Sequence, residues 1–331
     1  MNNLLTDIAG VRVGHAQDAA LASGVTAVLF DQPVVAAMDV RGGGPGTREG
    51  ALLDLANTVE KIDAIALSGG SAFGLESGGG VQAWLAERGR GLNVRGAVIP
   101  IVPGAICFDL LNGGNKQWGR FPPYRDLGYA AAAAAATSFE LGSVGAGLGA
   151  LTANLKGGLG SASAKTKDGL KVAALAAVNA LGSVTIGDGP WFWAAPFEIG
   201  GEYGGRGLPA AFTADMLNMR IKGGPSATET ESTTLAVVVT DAALTKPQAK
   251  RLAMIAQTGF ARAIYPVHAP MDGDVLFAAA TGEKTVDPLV GLTELGLVAA
   301  NTVARAIARG VHAATALPLP GALPAWRDRF G

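Results

Sequence analysis

The stretch Lys222-Gly223-Gly224-Pro225-Ser226-Ala227-Thr228-Glu229-Thr230-Glu231-Ser232-Thr233-Thr234-Leu235-Ala236-Val237-Val238-Val239-Thr240 changes character at one bond. Up to Glu231 it is polar and holds glycine and proline, the composition of a cuttable linker. From Leu235 onward it is apolar and β-branched, which reads as a strand buried on both faces. Thr233 therefore stands at the mouth of a strand with a linker just before it. A threonine freed in that position becomes a chain N-terminus, and its own α-amine can serve as base for its hydroxyl. With a pKa of roughly 7.7–8.0, such an amine is well matched to that task near neutral pH.

The residues that follow spell a β-α-β unit. After the strand Thr234–Thr240, Thr245-Lys246-Pro247-Gln248 is a capping-box pattern with proline in the first turn. The helix it opens is predicted to reach about Ile264, with Leu252, Ile255, Phe260 and Ala263 on one face. His268-Ala269-Pro270 breaks the chain, a second strand runs from Asp274 through Ala278, and Asp287-Pro288 opens a C-terminal helix to about Arg309. If the two strands are parallel, the crossover brings both strand starts to one edge of the sheet. Thr233 would then lie beside Met271-Asp272-Gly273-Asp274, with Asp272 and Asp274, at i and i+2, on the same side. Two carboxylates there could orient the threonine hydroxyl and the ammonium that forms. The competing reading makes Asp272-Gly273-Asp274 a solvated turn and Thr233-Thr234 ordinary strand residues.

Upstream, glycine-rich turns separate short apolar runs. Val25–Phe30, Ala64–Leu67, Gly96–Val102, Val172–Val178 and Ser183–Ile186 read as buried strands; Gly50–Glu60, Phe73–Arg88 and the alanine run Tyr129–Thr137 read as helices. Gly145-Ala146-Gly147-Leu148-Gly149-Ala150 fits G-x-G-x-x-A, but no strand precedes it and no acid follows at the required distance, so a dinucleotide site is not expected. No P-loop and no G-x-S-x-G elbow occurs. His15, His268 and His312 lack metal-ligand spacing and read as structural or surface residues. Asn179, at the end of Ala176-Ala177-Val178-Asn179, is either a satisfied turn amide or an oxyanion donor. Lys156 is either a surface lysine or a cation facing a pocket.

Composition narrows the class. The 331 residues are 49% apolar and 16% charged with 48 glycines, and their net charge is −1. That balance gives no support for nucleic-acid binding. The low charge points to a surface partly covered by sister subunits. Apolar runs are broken by charge or glycine before they reach membrane-spanning length, so no membrane span is expected. The start Met1–Asp7 does not read as a signal peptide. The single cysteine, Cys107, excludes an internal disulfide, fits a reducing cytoplasm, and reads as a buried core thiol rather than a catalytic one.

Five segments together are similar to a known family: Arg41-Gly42-Gly43-Gly44-Pro45-Gly46-Thr47-Arg48, Leu67-Ser68-Gly69-Gly70-Ser71-Ala72-Phe73-Gly74-Leu75, Val144-Gly145-Ala146-Gly147, Thr233-Thr234-Leu235-Ala236 and Asp272-Gly273-Asp274. The chain resembles the self-cleaving N-terminal-nucleophile amidohydrolases, which include β-peptidyl aminopeptidases, L-aminopeptidase/D-esterases and 6-aminohexanoate-oligomer (nylon oligomer) hydrolases. The resemblance implies an α/β fold, an αββα layered sandwich spanning 1–331. It further implies cleavage between Ser232 and Thr233 into fragments 1–232 and 233–331, which stay together and assemble further, often to tetramers. Aminopeptidase branches use serine with a serine and a glutamate at the paired positions; Thr233, Asp272 and Asp274 look like the nylon-oligomer branch. Asn179 falls at the family's oxyanion asparagine, and the family's lysine corresponds to Lys156 or, with a different gap, to Asn154. Ser232 stands where that branch usually has asparagine, and Phe108 where some members have a tyrosine. The expected activity is hydrolysis of short amides such as 6-aminohexanoate oligomers or small peptides, without metal or organic cofactor. The rivals are a β-peptidyl or L-amino-acid aminopeptidase, a self-cleaving acetyltransferase of the glutamate/ornithine type, and a non-catalytic binding protein.

Overall fold

The computed structural model describes residues 1–224 and 232–331; the linker residues 225–231 lie outside the described set. Nine strands form one sheet: β1 (Val11–Asp18), β2 (Ser23–Val40), β3 (Thr47–Arg48), β4 (Lys61–Ser68), β5 (Gly104–Ile106), β6 (Gly158–Lys165), β7 (Lys171–Asn179), β8 (Thr233–Ala242) and β9 (Val275–Lys284). Their spatial order is β3-β5-β4-β2-β9-β8-β7-β6, with β1 beside β2. β2 is the hinge of this arrangement. Its first half pairs with β1 through Ser23–Phe30 and its second half pairs with β9 through Val35–Val40. Between them Asp31, Gln32 and Pro33 are exposed and the register against β4 slips, as expected where proline has no N–H to give a ladder.

That bend folds the sheet over itself into two layers. Val28, Phe30, Ile65 and Leu67 of one layer meet Leu175, Leu235, Val237 and Phe277 of the other in a shared core. Strand alternation sends the neighbouring side chains outward. Val25, Ala27, Leu29 and Ala66 pack under helices α1 (Ser77–Ala86) and α2 (Tyr124–Ala133) through Val81, Leu85 and Ala131. On the opposite outside, Ala176, Ala236, Val238 and Ala278 pack under α3 (Lys246–Ala256) and α4 (Val290–Ala313) through Leu252, Ala256, Val303 and Ile307. The result is the αββα sandwich that the resemblance implies. Every residue of β8 is buried, which is why it reads as a continuous apolar run rather than an alternating one. α4 is long and apolar enough to cross a bilayer, but 61% of its most apolar window is buried inside the protein, where it covers β6 and β7.

The β-α-β unit forms as expected. β8 and β9 are parallel, with Leu235 opposite Val275, and α3 crosses between them. Its cap is the reciprocal pair in which Gln248 N–H donates to Thr245 Oγ1 (3.4 Å) and Thr245 N–H to Gln248 Oε1 (2.9 Å). That helix ends at Ala256, with a separate turn over Thr258–Ala261. Other expectations need correction. Gly50–Glu60 holds only a 3₁₀ turn, Gly50–Leu53, stopped where the Asp54 carboxylate takes the Ala56 N–H. Within Gly96–Val102 only Ala97–Ile99 is extended, in an exposed hairpin with Leu92–Val94 across Arg95-Gly96, both at positive φ. Ser183–Ile186 makes isolated bridges, to Tyr265 and Phe192.

Candidate active site

The first residues of β8 lie between two strand ends. On the antiparallel side Thr233 is directly opposite Asn179, the last residue of β7. On the parallel side Ser232 bridges to Asp272, just ahead of β9. Thr233, Asn179, Asp272 and Asp274 are therefore brought together, and each is at most 2% exposed. The expected juxtaposition follows from the parallel crossover.

The Ser232 carbonyl oxygen is held by two donors: the Thr233 hydroxyl at 2.6 Å and the Gly273 backbone N–H at 2.7 Å. Gly273 N–H also reaches Asp272 Oδ1 at 3.1 Å. A side chain at 273 would not fit, since its Cβ would sit 2.3 Å from Thr233 Oγ1 and 2.8 Å from the Gly44 carbonyl. The Gly42-Gly43-Gly44 run explains itself here. Gly44 N–H donates to the Asp272 carbonyl (2.8 Å), Arg41 N–H donates to the Asp274 carbonyl (3.1 Å), and a Cβ on Gly42 would meet Asp272 O at 2.2 Å. The glycine loop thus clasps the Asp272–Asp274 turn from behind.

The two aspartates have different surroundings. Asp274 Oδ1 accepts the Thr234 N–H (2.8 Å) and its Oδ2 lies 2.8 Å from His268 Nδ1. Asp272 Oδ2 is buried and receives no donor among the described residues. Burial lifts the Asp272 carboxyl above the usual carboxylate range, and the like charge of Asp274 lifts it further, against the opposing pull of the Lys222 ammonium. A proton on Asp272 would be shared with Asp274, so the pair holds one negative charge more readily than two.

Asn179 is pinned at both ends of its amide. Its Oδ1 accepts Leu151 N–H (3.0 Å) and Lys222 Nζ (3.0 Å), while its Nδ2 donates to the Phe108 carbonyl (2.8 Å). Lys222 is pushed down to about 8, chiefly by burial, with Asp272 as its strongest opposing charge.

Lys156 is not the surface lysine that one of its sequence readings made it. It is fully buried, and its ammonium donates to the carbonyls of Gly147, Ala150 and Gly157 (3.0, 2.8 and 2.8 Å). Burial lowers it to about 7. Those three carbonyls belong to the Gly145–Ala150 turn and its neighbour, so Lys156 ties a loop behind Asn179. Asn154 accepts from Ser183 Oγ at 3.3 Å and keeps a buried Nδ2 without a partner among the described residues. Cys107 is free and fully buried, and burial drives its thiol far up, which leaves it protonated.

Sequence reading missed Lys222 and His268. Lys222 is separated from Asn179 by the chain that wraps back over the site, and nothing local marks it. His268 had one usable signal: it precedes Asp274 in the same tight turn, and holds φ +56 there.

Over residues 3–321 the chain matches peptidase family S58. An uncharacterized aminopeptidase of Mycobacterium tuberculosis (strain ATCC 25618 / H37Rv) is 43% identical, covering 99% of this chain and 98% of its own. The chain belongs to peptidase family S58. As a member of family S58 it is a hydrolase that acts on amide or peptide bonds. A 6-aminohexanoate-oligomer endohydrolase of Paenarthrobacter ureafaciens is more distant, 27% identical over 84% of this chain and 74% of that one. Two solved structures share the fold. A Burkholderia sp. beta-aminopeptidase superposes with TM-score 0.70 at 23% identity, covering 99% of this chain and 93% of its own. The L-aminopeptidase D-ala-esterase/amidase of Ochrobactrum anthropi, described as a variant of the Ntn-hydrolase fold, superposes with TM-score 0.70 at 21% identity, covering 96% and 88%.

Proposed function

We propose that the chain cuts itself between Ser232 and Thr233 and then hydrolyses short amides with Thr233 as its N-terminal nucleophile. The observation that carries this reading is the Ser232 carbonyl, held between the Thr233 hydroxyl and the Gly273 N–H in a buried site. In the uncut chain Thr233 Oγ attacks the Ser232 carbonyl carbon, and the oxyanion that forms stays on the Gly273 N–H. Collapse breaks the C–N bond, the nitrogen takes the proton that the Thr233 hydroxyl gave up and becomes the α-amine, and the acyl group rests as an ester on Oγ. Water hydrolyses that ester, leaving a Ser232 carboxylate and a free Thr233.

In the cut enzyme the α-amine takes the Oγ proton as Oγ adds to a substrate carbonyl. Asn179 Nδ2 stabilises the oxyanion. Asp272 and Asp274 orient the ammonium and the start of β8. The ammonium returns the proton to the leaving amine, and water then releases the acyl group. Lys156 supports the loop behind Asn179. The two fragments stay associated because β8 is paired on one side by β7 of the first fragment and β9 of the second is paired to β2 of the first. Further assembly to a tetramer is part of this reading.

The substrates are short amides with a free amine. The 43% identical relatives named as aminopeptidases favour small peptides, and the Thr233, Asp272, Asp274 set favours 6-aminohexanoate oligomers as the second choice. The test is a hydrolysis assay of amino-acid p-nitroanilides and of the linear 6-aminohexanoate dimer with wild type and Thr233→Ala. Release of amine from either class by the wild type alone supports the reading; equal release by both proteins removes Thr233 from the chemistry.

A further inference from the structure

We infer that Lys222 is a positioning residue of this site: its ammonium holds the Asn179 amide with the nitrogen turned toward the reacting carbonyl. The inference rests on the proposed roles of Thr233 and Asn179.

An asparagine amide is nearly symmetric in shape, so its orientation is decided by the donors and acceptors around it. Here both sides agree. Lys222 Nζ and Leu151 N–H are pure donors and converge on one amide atom at 3.0 Å each, which must be the oxygen. The Phe108 carbonyl is a pure acceptor and faces the other atom at 2.8 Å, which must be the nitrogen. Rotating the amide by half a turn would set –NH₂ against two donors and a carbonyl against a carbonyl. Nδ2 carries two hydrogens, and the Phe108 contact uses one of them. Lys222 Nζ also reaches the Asn179 main-chain carbonyl at 3.4 Å, so a single lysine grips both the backbone and the side chain of the residue opposite Thr233. Its own backbone N–H is anchored to the Leu181 carbonyl at 2.9 Å, which keeps it in place when the chain beyond it is cut.

The charge argument runs in parallel. The groups that act on Lys222 are Asp272 first, then Cys107 and Asp109, while Lys156 is a second cation within range. Asp272 has Asp274 as a like charge and Lys222 as its opposing one. Removing the ammonium therefore leaves Asp272 with burial and Asp274 alone, both of which favour its protonated form.

The experiment compares Lys222→Met and Lys222→Arg with wild type, using self-cleavage followed by intact mass and kcat and KM on an amino-acid p-nitroanilide across pH. Lys222→Met should lower kcat at least tenfold with KM within about twofold, and shift the acid limb of the pH profile to higher pH. Lys222→Arg should recover most of both. A second readout does not depend on activity: in the Thr233→Ala background, Lys222→Met should shift the side-chain amide resonances of Asn179. Wild-type kcat and an unmoved acid limb in Lys222→Met, or unshifted Asn179 resonances, would overturn the inference while leaving the Thr233 mechanism standing. Hydrolysis by Thr233→Ala would instead overturn the reading on which it rests.

Discussion

Asn179 and Thr233 are paired residues on adjacent antiparallel strands, the last of β7 and the first of β8. One strand thus ends on an amide donor where the next begins on a hydroxyl, and both are sealed from solvent. A short loop from the parallel neighbour, Asp272-Gly273-Asp274, supplies the remaining backbone donor and both carboxylates. The consequences of this geometry can be measured.

Gly273→Ala should slow self-cleavage. Its new Cβ would be 2.3 Å from Thr233 Oγ1 and so would push the hydroxyl away from the Ser232 carbonyl. Loss of one oxyanion donor's alignment costs roughly 10²–10³ in rate. The conversion rate of purified precursor, followed on a denaturing gel, checks this; cleavage at the wild-type rate would remove Gly273 from the mechanism.

Lys156→Met should weaken the fold rather than the chemistry. Removing the ammonium takes a charged donor from three buried carbonyls, of which Gly147 and Ala150 keep a backbone donor (the Ala150 and Gly157 N–H), and each lost charged hydrogen bond contributes about 1.5–3 kcal/mol at most. Denaturant unfolding should show a loss of at least about 2 kcal/mol. Protein that does fold should still be cut before Thr233. Full stability with abolished cleavage would place Lys156 in the chemistry instead.

The junction at Thr233 and its aspartate neighbours were legible because both depend on local signals: a β-branched valine run behind a polar linker, and a crossover helix with a capping box. A parallel register follows from those alone. Lys222 was not legible, because its contact with Asn179 is made by chain that returns across the sheet. β6 was missed for another reason. Gly158-Leu159-Gly160-Ser161-Ala162-Ser163 has no strand-forming side chains, and it is extended because β7 pairs along it and α4 covers it. Gly96–Val102 reads as a buried strand because its apolar residues mimic one, whereas Ala97–Ile99 is part of an exposed hairpin. The sandwich itself was reached through resemblance; the bend at Asp31-Gln32-Pro33 that creates its two layers has no marker beyond one proline.

The cut enzyme should lose activity on the acid side at a pH above the ordinary carboxylate range. Asp272 is raised by burial and by Asp274, so it takes up a proton at higher pH than a free aspartate, and the Thr233 amine must also be neutral to act as base. Activity should therefore rise with pH through neutrality. A kcat/KM profile still flat at pH 5 would contradict this.

Glu202→Gln should destabilise the protein in a pH-dependent way. Burial alone would raise Glu202, but Arg305, with Asn3 and Arg309, holds it below its ordinary value. A carboxylate depressed in the folded state contributes stability above its unfolded pKa and loses it as pH falls through the folded one. Breaking this buried pair with Arg305 (2.5 Å) should cost about 3–5 kcal/mol near neutral pH, and the gap from wild type should narrow in acid. Thermal unfolding at several pH values measures both.

Intact-mass analysis of purified wild type beside Thr233→Ala tests the central claim most directly. The account predicts two fragments, 1–232 and 233–331, from the wild type and one full-length chain from the variant. A wild type that stays whole, or a variant cut at the same bond, would contradict it.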